Sequence, residues 1–191
     1  MLKRLCLIFL VLLPSVVWAQ GLYEHPGTNL QFPARLAKFE RTRVHRYDDP
    51  KLGVQVSYVI PELGKADFYV FDYGLTVIPP GINSDTVRSM YASADRDVQG
   101  FVESGMYLEF EKLFPLGAVM RAKDSNLEWY VAAYKFRLNR ENTEPVVSWL
   151  LVTGYRNHFV KIRFSHLASR AETGRSEVGA LLQAFGEANR E

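Results

Sequence analysis

The basic side chains are the strongest candidates for chemistry in this sequence, because two alternating stretches carry them. Alternation along ERTRVHRY puts Arg41, Arg43 and His45 on one strand face. Alternation along HFVKIRFSH puts Lys161 and Arg163 on one face of a later strand, and Arg156 precedes that strand. If the two strands lie close and their faces agree, they form a positive patch with aromatic edges. Such a patch suits a phosphate, an anionic glycan, lipid A or an acidic partner protein.

The same pattern also has a structural explanation. Charges along an exposed strand row prevent edge-to-edge aggregation, and they can pair across the sheet with Glu109 and Glu111. The two explanations are separable by mutation. If the row binds a partner, changing Arg41 and Arg163 together to Glu should leave folding intact and abolish binding.

Asp72 is the one carboxylate within an aromatic stretch, FYVFDYG (68–74). Alternation places it on the face of Phe68 and Val70, where a carboxylate has to be paired, hydrogen-bonded or shifted in pKa. It is either an acid in a pocket or a hydrogen-bond acceptor in the turn before Gly74. The rings themselves are expected to form the inside of a sheet rather than a ligand shelf.

Catalytic motifs are missing from the sequence. There is no GxSxG, HExxH, P-loop, GxGxxG or EF-hand loop, and His25, His45, His158 and His166 lie far apart. We therefore predict no catalytic residue, metal or cofactor. One alternative stays open, a small periplasmic hydrolase whose site is assembled from Asp72 and a distant histidine.

The N-terminus reads as a Sec-type signal peptide, residues 1–19, cleaved between Ala19 and Gln20. Its apolar run is too short to span a membrane, and it contains the only cysteine, Cys6. Lys3 and Arg4 account for two of the 23 basic residues, so 21 basic and 21 acidic residues remain. We expect a periplasmic or secreted single domain over residues 20–191, without disulfides or a membrane span, and not a nucleic-acid binder.

Hydrophobic periodicity predicts an α+β domain. Three strands (35–47, 53–60 and 66–73) precede an amphipathic helix that Ser84 caps, and four to five strands up to His166 precede a C-terminal helix. Ser169 and Glu172 have capping-box spacing for that last helix. The strand 145–155 is apolar on both faces. We therefore expect an antiparallel sheet of about six to eight strands, β-β-β-α-β(4–5)-α, with the helices on opposite faces.

This order, with the stretches FPARLAKFERTRVHRY, ADFYVFDYG and LLVTGYRNHFVKIRF, resembles the fold of the PsbP extrinsic protein of photosystem II and of a small nuclear-import factor that binds the GTPase Ran. The stretches also look like parts of exported bacterial proteins. The resemblance implies a non-enzymatic binding or assembly module. No residue matches a Ran-binding or photosystem motif, so neither partner class carries over.

From the sequence we therefore expect an exported, non-enzymatic module that binds an envelope protein or an anionic envelope component. The alternatives are the motif-less hydrolase and a carrier of an apolar ligand, which would require a large cavity. The oligomeric state stays open.

Overall fold

A computed structural model describes residues 21–114, 117–123, 125–140 and 143–190. The predicted signal peptide, residues 1–19, lies outside the described residues. Among those that are described, no helix is long and apolar enough to cross a membrane.

The first half of the chain contains most of the short strands. The elements are β1 (Tyr23–Glu24), β2 (Gln31–Phe32), β3 (Arg35–Leu36), β4 (Phe39–Arg46), β5 (Val54–Ile60), β6 (Gly64–Phe71) and helix α1 (Asp85–Glu103). The second half continues with β7 (Tyr107–Lys112), β8 (Ala118–Arg121), β9 (Glu128–Leu138), β10 (Val146–Tyr155), β11 (His158–Leu167) and helix α2 (Ala171–Ala188).

Strands β3 to β11 form one nine-stranded antiparallel sheet in the order β3-β4-β5-β6-β11-β10-β9-β7, with β8 also paired to β9, and β1 and β2 form a separate two-stranded sheet. The predicted α+β class and element order are confirmed. The sheet exceeds the expected six to eight strands because the first predicted strand is a hairpin. Ala37, at φ 50°, turns the chain between β3 and β4.

The two helices lie on opposite faces of the sheet, as predicted. Helix α2 packs on β2, β3 and β11, and α1 packs on β7, β9 and β10. Strand β10 is therefore covered on both sides, with Leu151 in the α2-side core and Leu150 in the α1-side core. This explains why its sequence is apolar on both alternating faces.

The helix starts differ from each other. The Ser84 hydroxyl accepts a hydrogen bond from the Val87 amide at 3.1 Å, as the sequence predicts for α1. The capping box predicted for α2 is wrong. Ser169 lies in a single 3₁₀ turn, and α2 begins after Arg170 without a side-chain cap. Tertiary contacts hold this helix instead.

The α2 side carries a continuous aromatic and aliphatic core. Phe68 lies at its centre, with its ring 5.0 Å from that of Phe185 and 5.6 Å from that of Phe32. Asn189, just after α2, forms two hydrogen bonds with the backbone of Gln31, which fix the β1–β2 hairpin to the helix. The α2 face is thus closed by a helix and a hairpin together.

Helix α1 covers only part of the other face. Its buried Asp95 accepts hydrogen bonds from Tyr134 on β9 and Lys112 on β7, each at 2.6 Å. Strands β4, β5, β6 and β11 make no comparably extensive contact with α1. On these four strands the residues that face the α1 side are mostly polar, and α1 does not cover them.

Candidate functional site

We call the α1-side surface of β4, β5, β6 and β11 the polar half-face. Strand register arranges it in two cross-strand rows. One row is Arg43, Ser57, Asp67 and Arg163, and the other is His45, Gln55, Tyr69 and Lys161. The sequence-predicted basic residues of β4 and β11 therefore do share a face, but β5 and β6 separate them by roughly 14 Å at the usual strand spacing.

The centre of the polar half-face is a closed hydrogen-bond network around Asp67. Its Oδ1 accepts from Ser57 Oγ at 2.5 Å and Gln55 Nε2 at 2.9 Å, and its Oδ2 lies 3.0 Å from Lys65 Nζ. The carboxylate is thus satisfied by its neighbours. Nothing in the sequence alone singles out Asp67, because its role depends on which strands are paired.

Arg163 turns away from Asp67, towards β10. One of its terminal nitrogens donates to Ser148 Oγ at 3.1 Å, and its guanidinium lies 5.9 Å from the ring centroid of Tyr134. Among the described residues no carboxylate oxygen lies within 4.0 Å of Arg163 or Lys161. Both cations are therefore available to an external anion.

The Lys161 ammonium lies over two aromatic rings, those of Tyr69 and Phe71. It is 4.8 Å from the ring centroid of Tyr69 and 5.5 Å from that of Phe71, within cation–π range. Burial lowers the pKa of Lys161, Arg163 lowers it further, and Asp97 on α1 opposes both. Burial also raises the pKa of Tyr69 to about 12. The ammonium is thus partly desolvated, and an added anion would stabilise its charge.

Between α1 and β11 lies a groove of about 740 Å³. Its floor is formed by Tyr69, Leu150, Lys161 and Arg163. Its walls are residues of α1, of the turn that follows it and of the start of β7, namely Ala94, Arg96, Asp97, Val98, Gly100, Phe101, Ser104, Met106 and Tyr107. The lining contains three cations and one carboxylate. A cationic floor between mainly apolar walls is the distinctive feature of this face.

At its far end the apolar wall packs on a ring of β9. The Tyr107 ring stacks on Phe136 with centroids 3.8 Å apart, and Phe101 lies 5.1 Å from Tyr107. Phe101 and Met106 nevertheless remain 39% and 48% exposed. The sequence pattern predicted the amphipathic helix α1. It did not identify the groove, which depends on where α1 crosses the sheet.

Arg41 does not belong to this surface, and its predicted place beside Arg43 and His45 is wrong. A β-bulge between Arg41 and Arg43 reverses the alternation, so Arg41 pairs with Tyr58 on the α2 side. There it is 6% exposed and donates to the carbonyl oxygens of Phe32 and Gly21. Changing Arg41 to Glu would therefore disturb the fold, contrary to the sequence-based expectation.

The remaining basic residues of the predicted patch, Arg43, His45 and Arg156, do not line the groove. Arg43 is exposed and contacts Nδ1 of His45 at 3.2 Å. Arg156 donates to the Thr28 carbonyl at 3.0 Å and lies over the Tyr155 ring, in the β10–β11 turn. The proposed pairing partners are also engaged elsewhere, since Glu109 pairs with Arg137 and Glu111 lies 4.0 Å from Lys135.

Asp72 lines a cavity of about 370 Å³ together with His25 and His158. Its Oδ1 accepts from the Gly74 amide at 2.6 Å, which is the turn-acceptor geometry that the sequence also allowed. Within the described chain no histidine has a carboxylate oxygen within 4.0 Å. The cavity thus brings the hydrolase candidates together without the hydrogen bond that such a site requires.

The two histidines of this cavity are fixed by local contacts. Their ring centroids are 5.2 Å apart, His25 Nδ1 lies 3.0 Å from the buried Thr28 hydroxyl, and His158 Nδ1 donates to the Arg156 carbonyl. Burial lowers the pKa of His25 to about 4, with His158 and Arg46 adding to the shift. Among the described residues no three His, Cys, Asp or Glu side chains are grouped as metal ligands.

An antiparallel sheet between two helices, with the element order found here, defines the architecture of this chain. No protein-family model matches it, and no curated protein does so either. Among solved structures it is similar to cyanobacterial PsbP (CyanoP) from Synechocystis sp. PCC 6803, determined in solution. That match covers 89% of this chain and 94% of the other, with a TM-score of 0.52 and 14% identity. The chain therefore has a PsbP-like fold, as its sequence suggested.

Proposed function

We propose that this protein is an exported, non-enzymatic binding module that recognises an anionic envelope component at the groove between α1 and β11. The observation that carries the proposal is the pair Lys161 and Arg163, two cations on one strand face without a carboxylate within 4.0 Å among the described residues. Charge on a groove floor, rather than on a fully exposed edge, is typical of recognition.

The other candidates have contacts that explain them structurally. Arg41 holds the N-terminal segment, Asp72 accepts in a turn, and His166 accepts from the Trp149 indole while donating to the Leu167 carbonyl. The similarity to cyanobacterial PsbP supports the architecture of the proposal and does not identify a partner.

The binding part is tested by capture from an envelope extract. We compare the wild-type chain with Lys161→Gln/Arg163→Gln and with Lys135→Gln/Arg137→Gln. The second pair removes the same charge from the α2 side of β9. We expect loss of capture for the first pair alone. Equal capture by all three proteins would overturn it.

The export part is tested separately. The signal-peptide pattern predicts cleavage between Ala19 and Gln20. The intact mass of the protein from a periplasmic or culture fraction should match residues 20–191. A full-length mass in the cytoplasmic fraction would contradict export and leave the binding proposal standing.

A further inference from the structure

The groove of the proposed function has a composition that restricts what it can hold. Three of its lining side chains are cationic and one is acidic, while the walls present Val98, Phe101, Met106 and Tyr107. A purely apolar ligand would cover Lys161 and Arg163 and leave Asp97 as the single acidic side chain of the lining against three cations, and a small inorganic anion would leave the apolar wall in water. The cationic side chains and the apolar wall thus lie side by side along the same groove.

We propose that the groove binds an organic anion with an apolar body, whose single carboxylate or phosphate head group contacts Lys161 and Arg163 while the body lies along α1. This deepens the proposed function and rests on the same site. It refines the alternative of an apolar-ligand carrier by giving the ligand a charged end.

The head-group site follows from strand geometry. Lys161 and Arg163 are two residues apart on one face of β11, so their Cα atoms are roughly 7 Å apart. One carboxylate or phosphate can contact both side chains at that separation. Arg163 has five N–H donors, and its described hydrogen bond uses a single nitrogen, to Ser148. The guanidinium can therefore bind an anion without losing its contact with β10.

The apolar site follows from the wall. Phe101 and Met106 are large side chains that stay 39% and 48% exposed, although they line the groove together with the buried Val98 of α1. Ring stacking of Tyr107 on Phe136 limits the freedom of this wall. The groove volume of about 740 Å³ lies within the range of small-molecule sites, about 300–1,000 Å³.

An acidic peptide fits the groove less well. The floor strands β6 and β11 are hydrogen-bonded to neighbours on both sides, so neither offers a free edge to an extended chain. The two available cations are also close enough to serve one acidic group rather than a row of them. We therefore favour a small organic anion, and a peptide becomes an outcome of the test.

The experiment is a titration of the ¹⁵N-labelled mature chain with decanoate below its micelle concentration, followed by amide chemical shifts. Decyl phosphate, decanol, acetate and a Glu-rich decapeptide are the comparison ligands. We expect decanoate to shift amides of residues 94–107 and 161–163 and to bind about tenfold more tightly than decanol. Acetate should produce no shifts at the same concentrations.

Variants separate the two parts of the site. Lys161→Gln/Arg163→Gln should reduce decanoate affinity to that of decanol, whereas Phe101→Ser/Met106→Ser should weaken both ligands. The matched control Lys135→Gln/Arg137→Gln should change neither. Tighter binding of decyl phosphate than of decanoate would assign a phosphate head group within the same proposal.

Three results would overturn this inference: decanoate binding no tighter than decanol, shifts confined to other surfaces, or the decapeptide binding more tightly than decanoate. Failure of the proposed function is distinguishable. If decanoate fails while the Lys161/Arg163 variant still loses envelope capture, only the ligand class is wrong. If that variant keeps full capture and decanoate does not bind, both proposals are wrong.

Discussion

The two faces of the central sheet are covered to different extents. On the α2 side, a helix and the β1–β2 hairpin close a core that runs from Phe39 to Trp129. On the α1 side, the helix covers β7, β9 and β10, and the polar half-face continues beyond it. One face thus provides most of the apolar burial, and the other combines a smaller core with a cationic groove. We therefore assign the proposed recognition to the half-covered face.

The largest expected effect is a difference between two neighbouring residues of β6. Phe68→Ala removes a fully buried ring from the α2 core and should lower the free energy of unfolding by about 3–5 kcal/mol. Tyr69→Ala, on the groove floor, should cost at most about 2 kcal/mol because Tyr69 is only half-buried. Denaturant unfolding measures both. Equal losses would contradict the difference between the faces.

The next largest effect is a pH dependence of stability that arises from the buried His25. The folded pKa of about 4 lies below the ordinary value of 6.5, so the unfolded chain takes up the proton first as the pH falls. The free energy of unfolding should keep its full value above about pH 6.5 and decrease by at most about 3 kcal/mol down to pH 4. His25→Gln should flatten this slope in a series of unfolding curves. An unchanged slope would show that His25 is not the titrating group; a residual slope is expected from His166, whose pKa burial also lowers.

A third difference concerns two arginines of β4. Arg41→Ala leaves two backbone carbonyls without their charged donor and should cost about 1.5–3 kcal/mol in unfolding free energy. Arg43→Ala removes an exposed side chain from the polar half-face and should stay within about 0.5 kcal/mol of the wild type. If Arg43→Ala lowered the free energy of unfolding more than Arg41→Ala, the position of the bulge would be wrong.

The smallest expected effects on stability come from two glycine substitutions on α2. A Cβ at Gly174 would be 2.2 Å from His166 Nε2, and His166 is held between Trp149 and the Leu167 carbonyl. Gly174→Ala should therefore destabilise by about 1–3 kcal/mol. At Gly179 an added Cβ meets no atom within 4 Å, so Gly179→Ala should stabilise by about 0.5–1 kcal/mol. Thermal unfolding gives both signs, and a stabilised Gly174→Ala variant would contradict the packing of α2 on β11.

The regular parts of the fold were predictable because their signals are local. Period-2 and period-3.6 patterns identify β10 and α1, and Ser84 marks the start of the helix. The bulge at Thr42 was not predictable, since it adds one residue to a strand whose alternation otherwise looks regular. That single residue moved Arg41 from the predicted site into the core.

The candidate site was predictable only in part for a related reason. Alternation correctly placed Lys161 and Arg163 on one face, and the register then determined that Asp67 and Tyr69 adjoin them. Long-range register and the path of α1 over the sheet are tertiary properties. The groove depends on both, so the sequence indicates its cations without indicating its walls.

We propose that recognition takes place in the groove between α1 and β11. Hydrogen–deuterium exchange of residues 20–191, with and without envelope extract, is the decisive measurement. We expect added protection in residues 94–107 and 159–165, with little change around His25 and on α2. Protection confined to residues 21–34 and 155–158, or to α2, would contradict the claim.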